Sequence, residues 1–251
     1  MTFRVATLNL EQDHKRWDQR RPLIDDQLTA LDPDVVAFNE VCVPRQTAHA
    51  LRDALAARTG RAYALVQQTK TNSLAEVEAE ALLARVPLLE TGNLDYQTRD
   101  MVALVARLDV GGTPVDVYVT HLYRSLGDDS LRLFQVQQLL AWIDRRPGAA
   151  AQVVCGDFNA TLERPSAALM ATRFRPTQTA PTAFTPLADH DGTGSHPRRA
   201  RMDRCIDYIW VAGALEVVAS AVCFNRPSPD DPTLWPSDHA GVWADLELTP
   251  A

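Results

Sequence analysis

Polar residues that can bind a metal ion or a phosphate end several apolar segments of this chain. In "VVCGDFNAT", residues 153–161, the acid Asp157 and the amide Asn159 lie two positions apart after a β-prone run. Side chains two apart point the same way on an extended chain, so both could face one metal ion, water or phosphate. An Asx-type turn, in which both side chains bond to nearby backbone, explains the same stretch without chemistry.

The same feature recurs along the chain. Further residues of these types end or interrupt apolar segments: Asn9, Glu40, His121, Asp207, Asp238 and His239. Glu40 closes "DVVAFNE", where an isolated charge would be costly, and this favours metal binding or ion pairing. The others have structural alternatives. Asn9 could form a turn, His121 could be a satisfied strand-end histidine and Asp207 could face solvent, while Asp238 and His239 could cap the next element.

The joint occurrence of these residues favours a catalytic constellation. Carboxylates and amides hold Mg²⁺, histidines contact phosphates, and amides orient water. The eight residues together form a chemically coherent set that could hold a metal ion and contact a phosphate.

Composition bounds the class of protein. The 251 residues are 46% hydrophobic and 23% charged, as in a soluble globular protein. The net charge of −7 argues against a broad basic surface for nucleic acid but permits a local one. Four widely spaced cysteines form no CxxC pair and are typical of buried thiols in a reducing compartment. With no apolar run of membrane-spanning length and no signal-peptide pattern, we expect a cytoplasmic location. We also expect a monomer.

Alternating strand-like and helix-like segments would position the polar residues. Helices are predicted around residues 21–31, 45–59 and 133–143, and a long loop over much of 173–204. Strands are predicted at "FRVATLNL", "DVVAFNE", "AYALVQ", "ALLARVPLL", "VVCGD", "CIDYIWV", "LEVVASAVCF" and "GVWADLEL", with a hairpin across Gly111 and Gly112. Hairpins mixed with crossover helices indicate an α+β protein, and the absence of a linker indicates a single domain spanning residues 1–251.

The order of these motifs resembles one known family. "TLNL", "FNEV", "VTHL", "CGDFN", "CIDYIWV" and "SDHAGV" are similar to the motifs of the endonuclease/exonuclease/phosphatase family, the deoxyribonuclease I-like phosphoesterases, over about residues 3–248. The resemblance implies a four-layer α/β/β/α sandwich of two mixed β-sheets flanked by helices. It also implies a Mg²⁺-dependent phosphodiesterase, with Mn²⁺ as a substitute ion.

The resemblance assigns roles position by position. Glu40 is expected to be the main Mg²⁺ ligand, with Asn9 and Asp238 close to the ion. His121 is expected to contact the scissile phosphate. Asp157 and Asn159 are expected to position or deprotonate the attacking water, and Asp207 to orient His239. Whether the aspartate or the histidine is the formal base stays open.

Several positions depart from the family pattern. Asn39 stands where Gln usually precedes the metal-binding Glu, Ala84 replaces a serine, and Gly241 stands where Pro is frequent. All three leave the metal and base residues intact but could reshape the substrate rim. Arg99 and Arg132 have family-like placement for substrate binding, although surface arginines would explain them equally well.

The loop 173–204 is locally basic. Its arginines include Arg198, Arg199 and Arg201, which could bind phosphates beyond the one being cut, or belong to a solvated loop without function. The predicted activity is hydrolysis of phosphodiester bonds by a nuclease on DNA or RNA. A phosphoesterase of a small phosphorylated metabolite or phospholipid head group is the alternative, and a non-catalytic binding module is the third hypothesis.

Overall fold

The computed structural model describes residues 1–14, 16–125, 127–184 and 202–249. The strands are β1 Thr2–Asn9, β2 Val35–Cys42, β3 Ala64–Thr69, β4 Glu78–Ala84, β5 Leu88–Asp95, β6 Val102–Val110, β7 Thr113–His121, β8 Ala151–Asp157, β9 Arg175–Pro176, β10 Ala183–Phe184, β11 Met202–Arg204, β12 Asp207–Gly213, β13 Leu215–Cys223 and β14 Gly241–Leu248. The helices are α1 Trp17–Leu31, α2 Thr47–Thr59, α3 Ser130–Asp144 and α4 Pro165–Ala171, with a 3₁₀ turn at Asn72–Leu74.

Two six-stranded mixed sheets form the centre of the fold. Their strand orders are β13–β14–β1–β2–β4–β3 and β5–β6–β7–β8–β12–β9. One central pair in each sheet is parallel, β1 with β2 and β7 with β8. The carboxyl ends of each parallel pair therefore reach the same edge of their sheet, which places the polar residues that end these strands side by side.

Apolar side chains hold the sheets and helices in four layers. Alternate residues of both sheets, such as Val5, Leu104 and Val153, pack against each other in the centre. Helices α1 and α2 cover the outer face of the first sheet through residues such as Ile24 and Leu51. Helices α3 and α4 cover the second sheet. The α/β/β/α sandwich expected from the sequence is confirmed.

The predicted elements need three corrections. "ALLARVPLL" is not one strand. β4 ends at Ala84 in the first sheet and β5 begins at Leu88 in the second, so the chain crosses between the sheets over residues 85–87. The described ends of the predicted loop 173–204 contain the short strands β9, β10 and β11. Helix α4 was not predicted.

None of the helices in the described part of the chain is long and apolar enough to cross a membrane.

Gly156 in "CGDFN" is required by the close pairing of β8 with its neighbours. Its φ is +136°, and a Cβ atom built on it would lie 1.9 Å from the carbonyl oxygen of Thr120 in β7. We expect Gly156→Ala to lower the free energy of unfolding by about 2–4 kcal/mol, since it adds both backbone strain and a clash with main chain. Urea unfolding would measure this.

Gly127→Ala is the matched control. A Cβ on exposed Gly127 meets no atom within 4 Å, so we expect a change within about 0.5 kcal/mol. An unchanged unfolding midpoint for Gly156→Ala would contradict the backbone argument.

Candidate active site

Six polar residues converge at one edge of the two sheets. Asn9 and Glu40 come from the ends of β1 and β2, and His121 and Asp157 from the ends of β7 and β8. Asp207 begins β12, which runs antiparallel to β8 and pairs Asp207 directly with Asp157. The sixth residue, His239, forms an isolated antiparallel β-bridge with Ala183.

A bulge in β2 directs Glu40 into this edge. The register with β4 breaks between Phe38 and Val41, and Glu40 adopts a left-handed φ of +53°. Such a conformation costs free energy in a non-glycine residue, and bulges of this kind are over-represented next to active sites. The Glu40 side chain stays one-quarter exposed, so its carboxylate can reach a ligand.

Asn9 joins the carboxylates of the two sheets. Its Nδ2 donates to Glu40 Oε1 at 3.0 Å and to Asp157 Oδ2 at 3.2 Å, while its Oδ1 accepts from the backbone N–H of Glu11. The Asn9 oxygen is thus engaged with the backbone, and its amide N–H groups orient Glu40 and Asp157. The geometry favours an orienting role for Asn9 over direct coordination of a metal ion.

His121 and Asn159 lie beside Asp157. His121 Nε2 is 3.6 Å from Asp157 Oδ2 and 3.9 Å from Glu40 Oε1. Asn159 Nδ2 donates to the carbonyl of Leu122 at 3.0 Å and lies 3.2 Å from His121 Nε2. Its backbone N–H donates to Asp157 Oδ1 at 2.7 Å, so the Asx turn considered for this stretch is present and itself presents both side chains to the site.

Asp207 and His239 form a pair at the other side of Asp157. His239 Nδ1 is 2.9 Å from Asp207 Oδ2, and His239 Nε2 is 3.9 Å from Asp157 Oδ2. Asp207 is buried rather than facing solvent, and Thr182 Oγ1 accepts its backbone N–H. The carboxylate therefore fixes one ring nitrogen and leaves the other directed at the shared centre of the site.

Asp238 lies at the open side of the site. Its side chain is 39% exposed and its Oδ1 is 3.9 Å from His239 Nε2. Ser237 Oγ, which donates to the carbonyl of Asn9, ties this segment to β1. Asp238 is thus a partly exposed carboxylate beside His239, in a segment tied to the end of β1.

Burial and crowding by acids shift the ionisation of the pair and of Glu40. Burial raises the pKa of Asp207 to about 6. For His239, burial favours the neutral ring, but the charges of Asp207, Asp238 and Asp157 outweigh it and hold the pKa well above its usual value. Burial also raises the pKa of Glu40, although His121 opposes the shift. Neighbouring acids add to the raised pKa values, Asp157 for Asp207 and both Glu78 and Asp238 for Glu40.

A second group of buried charges lies behind His121. Lys70, Glu78 and Glu80 are each 5% exposed or less. The Lys70 ammonium pairs with Glu78 Oε1 and lies 3.3 Å from His121 Nδ1. Burial opposes ionisation of Glu78, but contacts with His121 and Lys70 lower its pKa to about 2, whereas burial raises the pKa of Glu80 to about 7. We refer to Lys70, Glu78, Glu80 and His121 as the lysine cluster.

Lys70, Glu78 and Glu80 were not among the predicted site residues. A signal was present, since "EAEALLA" places two acids two apart at the start of an apolar strand, as "GDFN" does at the end of one. Lys70 is one of only two lysines in the chain. Recognising the group required knowing that β4 lies next to β2, which local sequence does not state.

Asn39 links the lysine cluster to the sheet edge where Glu40, His121 and Asp157 meet, which we call the catalytic edge. Its Nδ2 donates to Glu80 Oε2 at 2.5 Å and to the carbonyl of Thr120 at 3.0 Å, and its Oδ1 accepts the backbone N–H of Asp157 at 2.9 Å. The departure from the usual Gln at this position therefore accompanies a specific link between the two sheets.

The arginines predicted to bind substrate lie in different surroundings. Arg132 is 1% exposed, donates to Asp129 Oδ1 at 2.6 Å, and donates to the carbonyls of Tyr123 and Ser125. The prediction that it binds substrate is therefore corrected: its guanidinium holds the segment after β7 in place. Arg99 is exposed, 5.1 Å from the ring centre of Tyr123. Arg198, Arg199 and Arg201 lie outside the described residues.

The donor set suits a divalent cation of the Mg²⁺ type. Hard cations prefer carboxylate oxygens, and Glu40 and Asp238 present two such groups at the open side of the site. The oxygens of Asp157 and Asp207 and a ring nitrogen of His239 also lie within 4.8 Å of one another. The crowding of acids at this edge, with the partly exposed carboxylate of Glu40 among them, fits a bound cation.

Comparison with known proteins agrees with the fold. A model of the Endonuclease/Exonuclease/phosphatase family matches residues 6–239, and the chain belongs to this family. No protein of curated function matches its sequence. Membership of the family, together with the assembled site, makes the chain a metal-dependent hydrolase of the phosphodiesterase or nuclease type.

Solved structures with the same fold have low sequence identity. TDP2 from D. rerio, complexed with a single-strand DNA product, is 17% identical with a TM-score of 0.78, and the alignment covers 98% of this chain and 99% of that one. The human Nocturnin catalytic domain with a bound sulfate anion is 22% identical, with a TM-score of 0.73 and coverage of 99% and 94%. An endonuclease/exonuclease/phosphatase from Beutenbergia cavernae DSM 12333 is 24% identical, with a TM-score of 0.68 and coverage of 100% and 72%.

Proposed function

We propose that the chain is a Mg²⁺-dependent phosphodiesterase that cleaves nucleic acid, DNA or RNA, by in-line attack of water. The observation that carries the proposal is the convergence of Glu40, His121, Asp157 and the Asp207–His239 pair around one point at the edge of both sheets. Acid, imidazole and amide groups directed at a common point are what a phosphate ester requires, because its hydrolysis is extremely slow without catalysis.

Glu40 and Asp238 would hold the Mg²⁺ ion, with Asn9 keeping the Glu40 carboxylate in place. The bound ion would neutralise charge on the phosphate and stabilise the leaving oxygen. Mn²⁺ would substitute, since it accepts the same oxygen ligands.

The other residues act on the phosphate and the water. His121 Nε2 and Asn159 Nδ2 are placed to donate to the phosphate oxygens. Asp157 Oδ2 and His239 Nε2 face the same position and would orient the water. The water oxygen forms a bond to phosphorus, its proton passes to one of these two groups, and the ester P–O bond opposite breaks. General-base assistance of this kind supplies about 10²–10⁴-fold.

Purified protein assayed with Mg²⁺, with Mn²⁺ and with EDTA would test the proposal. The substrates are plasmid, abasic duplex, single-stranded DNA, RNA, a phospholipid panel and bis-p-nitrophenyl phosphate, with Asp157→Ala as the inactive control. We expect cleavage of a nucleic acid that EDTA abolishes. Cleavage that survives EDTA, or equal rates in the Asp157→Ala protein, would overturn the mechanism.

The same assay distinguishes two other functions. The net charge of −7 favours a small phosphorylated metabolite or a phospholipid head group over a long polyanion. Hydrolysis confined to such esters would select that function. Metal-independent binding of the panel without hydrolysis would select a non-catalytic binding module. The single domain, the monomeric state and the cytoplasmic location stay predictions.

The arginines of the loop 173–204 provide a further prediction. We expect joint neutralisation of Arg198, Arg199 and Arg201 to weaken binding of nucleic acid and flatten its salt dependence, because fewer phosphate contacts release fewer counterions. Bis-p-nitrophenyl phosphate should be cut nearly as before, since it has no phosphates beyond the reacting one. Affinity measured from 50 to 200 mM salt checks this, and an unchanged salt slope would contradict a role for the three arginines.

A further inference from the structure

Asn39 interrupts the apolar inward face of β2. Val35 and Ala37, at alternate positions before it, belong to the central core between the sheets, and side chains two apart on a strand point the same way. Asn39 is 0% exposed. Burying an amide costs free energy unless its polar atoms find partners, so an amide at this position must be compensated by specific hydrogen bonds.

The amide of Asn39 joins four strands of the two sheets. Its Nδ2 donates to Glu80 Oε2 in β4 at 2.5 Å and to the carbonyl of Thr120 in β7 at 3.0 Å. Its Oδ1 accepts the backbone N–H of Asp157 in β8 at 2.9 Å. Gly156 leaves room for this last contact, since a Cβ there would lie 3.0 Å from Asn39 Oδ1.

The partners of the amide fix its orientation. A carbonyl oxygen such as that of Thr120 can only accept a hydrogen bond, and a backbone N–H such as that of Asp157 can only donate one. Turning the Asn39 amide over would set acceptor against acceptor and donor against donor. The observed orientation is the one that satisfies both groups, and it holds whether or not Glu80 is ionised.

The main chain that Asn39 holds carries three residues of the catalytic edge. Glu40 follows Asn39 in β2, His121 follows Thr120 in β7, and Asp157 is bonded directly. Because Asn39 is fully enclosed, its side chain acts on the site only through the main chain of these residues.

We propose that Asn39 is a positioning residue that sets the place of Asp157 relative to Glu40 across the two sheets, and that Glu80 holds its amide for this task. A reacting group displaced by about 1 Å can lose about 10²-fold in rate, so a hydrogen bond to the main chain of Asp157 affects the attack of water. The rate effect rests on the proposed function, but the hydrogen-bond network does not.

Exchanging the amide and the carboxylate tests the proposal. Asn39→Asp keeps the shape of the side chain but replaces Nδ2 by an oxygen that faces the Thr120 carbonyl and Glu80. We expect kcat to fall by about 10²-fold with KM changed by less than about 3-fold, since Asp157 is displaced but not lost. Adding Glu80→Gln returns an N–H donor to this contact, and kcat should recover to within about 5-fold of the wild type because the two changes compensate.

Asn93→Asp is the matched control. Asn93 Nδ2 also donates from one sheet to the other, from β5 to Gln68 Oε1 in β3 at 2.7 Å, but at exposed outer strands. The same substitution therefore removes a comparable hydrogen bond between the sheets. We expect unchanged kcat, so a loss specific to Asn39→Asp reports its bond to Asp157.

Calorimetric titration with Mn²⁺ separates positioning of Asp157 from damage to the cation site. Asn39→Asp leaves Glu40 and Asp238 in place and adds negative charge, so the affinity for Mn²⁺ should not fall. Weaker binding of Mn²⁺ by a folded Asn39→Asp protein would show that kcat is lost through the cation, and would contradict the proposal.

Two kinetic results would overturn the proposal. One is a folded Asn39→Asp protein with the kcat of the wild type, and the other is a double variant at least as slow as Asn39→Asp alone. If Asn39→Asp fails to fold, hydrogen exchange of the side-chain amides, followed by NMR on the wild type, still tests the network. The Nδ2 hydrogens of Asn39 should exchange far more slowly than those of Asn93, and equal rates would refute the network.

Thermal melting distinguishes failure of the network from failure of the proposed function. Asn39→Asp should lower Tm, and Glu80→Gln in the same chain should restore part of the loss, because the donor returns to the buried contact. Absence of hydrolysis in the wild type would remove the proposed function and leave this result standing. A double variant that melts no higher than Asn39→Asp would contradict the pairing of Asn39 with Glu80.

Discussion

Glu40→Gln is expected to keep the fold and to lower the rate of phosphodiester hydrolysis by about 10³-fold or more. Charge stabilisation by a bound ion is worth several kcal/mol, and each 1.4 kcal/mol is about a factor of ten in rate. Glutamine has the same size as glutamate, so the bulge in β2 and the hydrogen bond from Asn9 can both persist. The loss would therefore report the missing negative charge.

Metal binding provides a readout that does not depend on turnover. Calorimetric titration with Mn²⁺ should show weaker binding to Glu40→Gln than to the wild type, since carboxylate charge sets the affinity of hard cations. Glu216→Gln, the same substitution at an exposed position of β13, should change neither affinity nor rate. Wild-type activity in Glu40→Gln would remove the metal assignment.

The convergence of these polar residues could be predicted because the relevant pattern is local. Asn9, His121 and Asp157 each end a strand that its own residues identify, and Glu40 lies two residues before the end of β2. Parallel neighbours in a sheet bring such ends together. The chemical types of these residues indicated a common ligand before any distance was known. Their structure places them within hydrogen-bonding or ion-pair reach of one another.

The lysine cluster could not be predicted in the same way. Lys70, Glu78 and Glu80 come together through the antiparallel pairing of β3, β4 and β2, and no short-range rule specifies which strands become neighbours. The crossing from β4 to β5 was missed for a related reason. A continuous run of strand-forming residues does not reveal that its two halves belong to different sheets.

Arg132 shows that resemblance to a family does not determine which way a side chain points. Its position after "THL" suggested substrate binding, yet helix α3 turns it inward onto Asp129 and the backbone of residues 123–125. The direction of a side chain on a helix depends on which face packs against the sheet. The sequence predicted a helix around residues 133–143, but not that the arginine just before it would turn inward.

The second large effect is expected at Asp207 and His239, which should act as one unit. Asp207→Ala and His239→Ala should each lower kcat by about 10²–10³-fold, since the carboxylate on Nδ1 fixes the ring whose Nε2 faces the water. The double variant should lose little more than either single one, because removing one partner already ends the function of the other.

Asp245→Ala supplies the control for loss of an ion-paired acid. Asp245 lies six residues after His239 and pairs with Arg4 at 2.8 Å, partly exposed and far from the catalytic edge in β14. We expect unchanged kcat and a loss of at most about 1 kcal/mol in the free energy of unfolding, as is usual for exposed pairs. If the losses of Asp207→Ala and His239→Ala multiply in the double variant, the two residues act independently. The 2.9 Å contact between them would then be structural, and Asp157 alone would remain to activate the water.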